Sequence, residues 1–168
     1  MNQNFSFSKF KLTKKLIVVA MVSLPLVSCL SKEDPGPETS GSWTFDGTKY
    51  TPDLVQRTAY ALVATHGSSF DVDHAQVTFV FKTLPTSSGV YKMVGFNVNG
   101  GQPANDNEVT VGALGNVHGG PFYSSTFANE SANVTVTNGK IHVTVPEVWA
   151  SNIDKTDSVK ISANIIEQ

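Results

Sequence analysis

Two groups of closely spaced side chains in this chain could bind a metal ion. In the first group, Asp71, Asp73 and His74 lie within four residues, and imidazole with carboxylate oxygens is a common ligand set for metals. In the second group, Asp106 and Glu108 flank a single asparagine, and several oxygen ligands close together suit Ca²⁺. The residue types therefore allow a metal ion at either place.

Neither group has a spacing that specifies a metal. The second group lacks the order of acids, glycine and terminal glutamate that defines an EF-hand loop. Alternating acids are also common in solvated loops beside strands, where they bind no ion. We therefore expect no resident cofactor, and Ca²⁺ is the alternative.

Three aromatic residues could instead bind a sugar. Phe122, Tyr123 and Trp149 lie in stretches that look like loops, where binding residues concentrate. An aromatic ring can stack on the apolar C–H groups of a pyranose. Large aromatic residues also serve as core anchors in small β domains, so these residues are candidates for glycan stacking with a structural role as the alternative.

No catalytic constellation is present in the sequence. The His-Gly-Gly-Pro run at 118–121 has the composition of an oxyanion loop, but no Gly-x-Ser-x-Gly motif supplies a nucleophile. There is also no P-loop and no dinucleotide-binding fingerprint. We expect a protein that is not an enzyme.

Alternating apolar residues predict that short β-strands position these side chains. The clearest pattern is a pair of strands around Asn138-Gly139, since Asn-Gly accepts the positive φ of a two-residue type I′ turn. Asp46-Gly47 divides an aromatic stretch in the same way. Further alternating stretches occur at residues 77–82, 94–98, 109–111 and 159–165.

The stretch 52–66 fits two structures. Its Thr-Pro-Asp start is typical of a helix N-terminus, whereas the apolar run 60–65 reads as a buried strand. We favour a strand over the second half. Eight or nine short strands then predict an all-β domain, either an antiparallel β-sandwich or a partly closed barrel.

The N-terminus has the composition of a secretory signal peptide. Four lysines and no acid precede an apolar run of 12 residues at 16–27, as in the charged and apolar regions of an export leader. A helix that spans a membrane needs about 20 apolar residues. We expect residues 1–28 to be removed.

The leader ends in Leu26-Val27-Ser28-Cys29, which resembles the lipobox of bacterial lipoproteins. That resemblance implies cleavage before Cys29 and acyl chains on its sulfur and on the new amine. Several chains are needed because one acyl chain holds a protein on a membrane only marginally. The Ser-Lys-Glu-Asp run at 31–34 resembles the acidic export signal of Bacteroidota surface lipoproteins, which implies a lipid-anchored location on the cell outer membrane, facing outside.

Processing also changes the charge of the chain. Loss of the four leader lysines takes the formal net charge from −2 to −6, and an acidic protein repels phosphate backbones, so we expect no nucleic-acid partner. Cys29 is the one cysteine, so no internal disulfide can form. We expect residues 29–42 to be the lipidated cysteine and a flexible linker, and residues 43–168 to form a single β-sandwich domain.

Several short stretches of the mature chain resemble small β-rich lipoproteins of Bacteroidota. They are the run WTFDGTKY at 43–50, Leu-Pro at 84–85, Ser-Gly-Val-Tyr at 88–91, Thr-Asn-Gly-Lys at 137–140 and Lys-Ile-Ser-Ala at 160–163. This resemblance implies an antiparallel β fold and an envelope location, and it implies no reaction. Asp157-Ser158-Val159 also resembles the acceptor of the Bacteroidota O-glycosylation system, so Ser158 is a candidate for modification.

The sequence therefore predicts a surface lipoprotein that acts as a non-enzymatic binding or structural module. The sequence does not identify its partner besides the membrane, and a glycan and an envelope protein are the candidates. The alternatives are a lipocalin-like carrier, which requires an enclosed apolar cavity, and a glycan-binding accessory protein.

Overall fold

Eleven β-strands make up the regular structure of the residues that a computed structural model describes, which are 40–96, 101–115, 121–126 and 129–168. Their bounds are β1 Gly41–Phe45, β2 Thr48–Tyr50, β3 Leu54–Arg57, β4 Ala61–His66, β5 Ala75–Phe81, β6 Gly89–Met93, β7 Glu108–Leu114, β8 Tyr123–Ser125, β9 Ser131–Thr137, β10 Lys140–Asn152 and β11 Ser158–Ile166. These ranges contain no helix, so the all-β prediction is confirmed.

The described residues include no helix of the length and apolar character needed to cross a membrane. The signal peptide, Cys29 and the acidic run that follows it lie outside the described residues. The boundary between linker and domain needs a correction. Gly41 and Ser42 were assigned to the linker, but they pair with Ile165 and Asn164 and already belong to the first strand.

Both two-residue turns have the predicted geometry. Asn138 and Gly139 have φ values of 53° and 77°, and they join the paired residues Thr137 and Lys140. Asp46 and Gly47 have φ values of 48° and 77° between β1 and β2. Positive φ at both central positions is the mark of the type I′ turn, whose twist matches that of the flanking strands.

The stretch 52–66 forms two strands, and the helical alternative is wrong. β3 pairs with β4 in an antiparallel hairpin, from Leu54 opposite Thr65 to Arg57 opposite Leu62. Thr58 closes the connection, since its N–H donates to the carbonyl of Ala61 at 2.8 Å and its hydroxyl accepts from the Ala61 N–H at 3.1 Å. A polar side chain that completes a turn favours the hairpin over a helix.

The strand predicted at 94–98 is displaced towards the N-terminus. β6 ends at Met93, Val94 and Phe96 follow it outside any strand, and Val98 lies outside the described residues. β6 also runs parallel to β7. The sheet is therefore mixed, and this pair is the exception to the predicted antiparallel pairing among the described strands. The strand count exceeds the predicted eight or nine because β2, β3 and β8 have only three or four residues each.

The sheet is rolled so that its two edges meet. The strand order is β2-β1-β11-β10-β9-β6-β7-β5-β4-β3, which places β2 and β3 at opposite edges, yet only Thr51, Pro52 and Asp53 separate them in the chain. Three extended residues bridge little more than about 10–14 Å. The stretch Thr48–Arg57 therefore leaves one edge and joins the other, and the sheet forms a partly closed barrel.

Side chains hold the seam where the two edges meet. The imidazole Nδ1 of His66 lies 2.9 Å from the carbonyl oxygen of Thr51, and its ring lies 5.7 Å from that of Tyr50. Farther along the seam, Arg57 on β3 forms an ion pair with Glu167, whose Oε2 accepts the N–H of Ile141 at 2.8 Å. These contacts join β3 to β10 and to the C-terminus.

Ser125 on β8 lies where the backbone hydrogen-bond ladder of the sheet is interrupted. β8 pairs with both β7 and β10, on the edges that β6 and β9 occupy lower down. The buried Ser125 hydroxyl donates to the carbonyl of Val94 at 2.8 Å and accepts the N–H of Val111 at 3.2 Å. One hydroxyl thus satisfies two backbone groups that lose their ladder partners where β6 ends.

The inward-facing side chains form one continuous core. Its largest fully buried members are Trp43, Phe79, Phe81, Leu62 and Met93, drawn from four different strands. On β11 the predicted alternation is confirmed, since Val159, Ile161, Ala163 and Ile165 are buried. Because no disulfide is possible, this packing supplies the main stabilisation of the domain.

The barrel has two distinct ends. The loop end carries the β1–β2 turn, the β4–β5 loop, the residues before β8 and the β10–β11 loop. The base carries the β9–β10 turn, the C-terminus and the start of β1, as the pairing of Gly41 with Ile165 and of Lys140 with Thr137 shows. The chain therefore enters the domain from the base.

Replacing Asn138 with valine should destabilise the domain. A β-branched residue resists the left-handed conformation, and we expect the free energy of unfolding to fall by about 1–3 kcal/mol. Chemical denaturation measures this change. Asn138→Gly is the matched control, because glycine keeps the positive φ. Equal stability of the valine and glycine variants would contradict the turn assignment.

Glu167→Gln should weaken the seam in a pH-dependent way. Burial alone would raise the pKa of the Glu167 carboxyl, but the Arg57 hydrogen bond, the Ile141 N–H and the charges of Arg57 and Lys140 together hold it below its ordinary value. A lowered folded pKa stabilises the fold above the unfolded pKa of about 4.3, and this stability is lost as the pH falls through the folded pKa.

We therefore expect Glu167→Gln to cost about 1.5–3 kcal/mol at pH 7 and to match the wild-type protein in strong acid. Urea unfolding at several pH values measures the difference. Glu147→Gln is the control, because its ion pair with Lys160 is exposed and worth at most about 1 kcal/mol. A cost for Glu167→Gln that stays constant with pH would rule out the ion pair as its source.

Candidate functional site

A surface cleft of about 520 Å³ opens at the loop end of the barrel. It lies between the end of β6, the start of β8 and the β10–β11 loop. Its apolar lining includes Phe96, Phe122 and Ile153, and its polar lining includes Ser124 and Ser151. Small-ligand sites combine an apolar surface with a few polar groups in this range of volumes, so this cleft is the candidate site.

Phe122 forms a fixed wall of the cleft. A Cβ on Gly112 would lie 1.9 Å from Cζ of Phe122 and 2.8 Å from both Cε atoms, so the tip of the ring points at the Gly112 backbone. The ring of Phe96 contacts it at a centroid distance of 6.1 Å and an interplanar angle of 68°. Phe122 nevertheless keeps 38% of its surface exposed and can contact a ligand.

Two serine hydroxyls line the polar side of the cleft. Ser124 on β8 is directly opposite Ser151 on β10, which places both side chains on one face of the sheet with Cβ atoms about 5 Å apart. Within the part of the chain that the structure describes, neither hydroxyl is bonded to a protein group. Each can therefore donate one hydrogen bond and accept others from a ligand.

The β10–β11 loop has a defined conformation. The side-chain oxygen of Asn152 accepts the N–H of Thr156 at 2.9 Å and of Asp157 at 3.2 Å, and Lys155 adopts a φ of 55°. Asn152 is therefore occupied in holding the loop. The loop in turn presents Ile153, which is 72% exposed, at the rim of the cleft.

A second hollow of about 340 Å³ lies at the mouth of the barrel. Phe45, Tyr50 and Tyr123 line it, and Pro121 lines both hollows. The Tyr123 hydroxyl donates to Asp157 at 2.5 Å, and this hydrogen bond, with burial, raises the pKa of the phenol. The residues just before and within β8 thus form the wall between the mouth and the cleft.

The three predicted stacking residues do not form one surface. Phe122 lines the cleft, as described above. Tyr123 is buried at 6% exposure and packs edge-on against Phe45 at 5.5 Å, so its prediction as an exposed platform is wrong. Trp149 is 55% exposed on the outer face of β10, with the Lys160 ammonium 5.6 Å from its ring. Phe122 and Tyr123 are neighbours in the sequence, but successive side chains along a strand point to opposite faces of the sheet, so they do not share a surface.

The first predicted metal group shapes the β4–β5 loop. Asp71 accepts the N–H of Ser68 at 2.6 Å, and the imidazole Nδ1 of His74 lies 3.4 Å from the carbonyl oxygen of Gly67. Asp73 lies 3.9 Å from Nε2 of His66. Asp53, which the sequence pattern did not indicate, joins this cluster across the seam at 3.5 Å from His66.

The second predicted metal group is engaged by its own turn. Both carboxylate oxygens of Glu108 accept from Asn105, from its side chain at 2.8 Å and its backbone at 3.1 Å, and the side-chain hydrogen bond is the main cause of the lowered pKa of Glu108. Asp106 lies 3.8 Å from the Lys82 ammonium. Among the described residues, no set of three or more His, Cys, Asp or Glu side chains is arranged to hold a metal ion.

The remaining candidates lie apart from the cleft. Ser158 is the exposed first residue of β11, next to Asp157 at the barrel mouth. His142 turns away from the core, as its place between Ile141 and Val143 predicts, and its Nε2 lies 2.5 Å from Oδ1 of Asn164. Cys29 and residues 118–120 lie outside the described ranges.

Among the cleft residues, sequence analysis identified Phe122 as a site residue and missed Phe96, Ile153, Ser124 and Ser151. Phe96 was assigned to the face of a strand, and Ile153 was not considered. An isolated apolar residue within a polar turn, as in the run Ser-Asn-Ile-Asp-Lys at 151–155, is a signal that could have identified Ile153. Exposed apolar residues in loops often mark binding surfaces.

No family model, no curated protein and no solved structure matches this chain. The function of the cleft has to be inferred from its own side chains.

The contact between Phe122 and Gly112 can be tested by a double-mutant cycle. Gly112→Ala places a methyl group inside the Phe122 ring tip, so we expect a loss of about 1–3 kcal/mol in the free energy of unfolding. In a Phe122→Ala background the clash is absent, and the same change should be neutral or stabilise by up to about 1 kcal/mol. Thermal or urea denaturation of the four proteins measures the coupling. Identical effects in both backgrounds would show that the ring does not rest on Gly112.

Proposed function

We propose that this chain is a lipid-anchored protein of the bacterial outer membrane that faces outside the cell and acts as a non-enzymatic binding module. Its ligand binds in the cleft beside Phe122. The observation that carries this proposal is the grouping of exposed apolar side chains around an open cleft at the end of the barrel opposite the entry of the chain.

Exposed apolar side chains are concentrated at the loop end. Among the described residues, nine large apolar side chains are exposed, and five of them lie in loops at this end. They are Phe70, Val72, Phe96, Phe122 and Ile153. Phe96, Phe122 and Ile153 line the cleft itself. Scattered apolar residues are normal on a protein surface, whereas a group of them at a cleft is typical of a binding site.

The direction of the chain supports the proposed anchor. β1 begins at the base, where Gly41 pairs with Ile165, and eleven residues separate Gly41 from Cys29 in the sequence. The chain thus enters the domain at the end opposite the cleft. This arrangement suits a protein that is anchored through its N-terminus and meets its ligand outside the cell.

Two charged groups lie at the rim of the cleft. They are Asp154 and Lys155, and both are exposed. Their position allows them to contact a ligand that enters the cleft.

A small-ligand carrier is the second candidate; it requires an enclosed apolar cavity, and the described residues offer it only an open hollow at the barrel mouth. Barrel mouths are common ligand sites, and Tyr50 and Tyr123 line this one. Large core side chains such as Trp43 and Phe79 fill the interior below it. A carrier of this kind would therefore hold its ligand near the mouth, and blocking the mouth with Ser158→Trp would abolish its uptake of an apolar dye.

The anchor is tested by Cys29→Ala. We expect this variant to leave the membrane fraction of the producing cells, because without its acyl chains the acidic domain has no comparable affinity for lipid. Fractionation measures the change, and mass spectrometry of the wild-type protein should show cleavage before Cys29 and attached acyl chains. Ser158→Ala is the control and should stay in the membrane fraction.

Protease treatment of intact cells tests the outward orientation, since an exposed domain is degraded and one inside the outer membrane is protected. Retention of Cys29→Ala in membranes, or a wild-type protein with an intact leader and no acyl chain, would overturn the proposed anchor.

A further inference from the structure

We propose that the cleft binds a ring of a neutral glycan, which packs on Phe122 and exchanges hydrogen bonds with Ser124 and Ser151. This inference rests on the proposed function, because it names the ligand class of the same site.

The apolar wall of the cleft is rigid enough for ring stacking. Phe122 is fixed at its tip by Gly112 and on its side by Phe96, yet more than a third of its surface stays exposed. A ring that is already ordered loses little conformational entropy when a ligand packs against it. The apolar C–H face of a pyranose is one ligand surface that fits such a wall.

The polar side of the cleft suits a ligand rich in hydroxyl groups. Ser124 and Ser151 project from paired positions of β8 and β10, and each hydroxyl can both donate and accept. A purely apolar ligand would cover these two half-buried groups without offering them hydrogen-bond partners, which is unfavourable. A sugar presents hydroxyl groups next to its apolar face and satisfies both requirements.

The charges of the cleft and of the domain favour a neutral glycan. Asp154 and Lys155, adjacent on the rim, carry opposite charges, so the cleft has no net charge of its own from these groups. The chain as a whole has more acidic than basic residues, and an acidic protein repels polyanions over the range set by the ionic strength. A polyuronate or a sulfated glycan is therefore disfavoured.

The volume of the cleft limits the length of the ligand. About 520 Å³ is typical of small-ligand sites, so the cleft holds a short segment of a glycan.

The experiment uses the detergent-solubilised full protein on an array of neutral and acidic glycans, followed by isothermal titration with the neutral oligosaccharides that bind. We expect Phe122→Ala to weaken binding by about tenfold or more, as for a central aromatic contact. Ser124→Ala combined with Ser151→Ala should weaken it by a similar factor. Phe122→Leu is the second variant, because leucine keeps an apolar contact with Gly112 while it removes the aromatic ring, and it should also bind weakly.

Tyr60→Ala is the matched control, since it removes an exposed aromatic ring in the β3–β4 connection, away from the cleft, and should leave affinity unchanged. Loss of binding in Tyr60→Ala with full binding in Phe122→Ala would overturn the assignment of the site. Preferential binding of acidic glycans would overturn the predicted neutrality.

A second probe, the apolar dye 8-anilinonaphthalene-1-sulfonate, separates the two proposals. If no glycan binds and the dye binds in a manner that depends on Phe122, the ligand class is wrong and the cleft remains a binding site. If neither the glycans nor the dye bind, the ligand class and the proposed binding function both fail.

Discussion

The passage of residues Thr48–Arg57 from one edge of the sheet to the other sets the shape of this domain. The first part of this stretch pairs with β1 and the last part pairs with β4, so that a single piece of chain belongs to both edges. An open sheet of ten strands would leave one face of apolar residues in water. Rolling the sheet brings that face inside and creates one core, and it also creates the two ends on which the rest of the molecule is built.

Closure of this kind has to be completed by polar contacts because the ladder of backbone hydrogen bonds is interrupted. At the base, the Glu167 carboxylate accepts hydrogen bonds from Arg57 and from the N–H of Ile141. These bonds connect the edge strand β3 to β10. On the opposite wall, the hydroxyl of Ser125 bridges Val94 and Val111 where one strand replaces another. Buried backbone groups without partners are costly, so these side chains determine where strands can end.

The candidate site depends on this framework indirectly. The cleft residues stand on loops and strand ends, while the strands beneath them are fixed by the core. Gly112 is the point of contact between the two levels, because its missing side chain makes room for the tip of Phe122. The entry of the chain and the candidate binding surface lie at opposite ends of the barrel. The chain enters at the base, and most of the exposed apolar side chains lie at the loop end.

The sequence alone determined the local features of this protein and the character of its surface. Period-two alternation specifies the longer strands, although it misplaced the one at 94–98, and Asp46-Gly47 and Asn138-Gly139 specify two turns, because only certain residues accept positive φ. The alternating strands and turns sufficed for the all-β class, and composition sufficed for the acidic charge. Phe122 was identified as a candidate because its neighbours read as a loop.

Only the tertiary structure decided how those strands are joined and which side chains share a site. The parallel pairing of β6 with β7 and the meeting of Phe96, Phe122 and Ile153 bring together residues far apart in the chain, and the roll of the sheet makes the neighbouring strands β2 and β3 its two opposite edges. The local pattern around each of these residues is compatible with several partners. The choice among these partners depends on two requirements. One continuous core has to be buried, and every backbone group that loses its partner where a strand ends has to form a hydrogen bond with a polar side chain. Both requirements involve the whole chain.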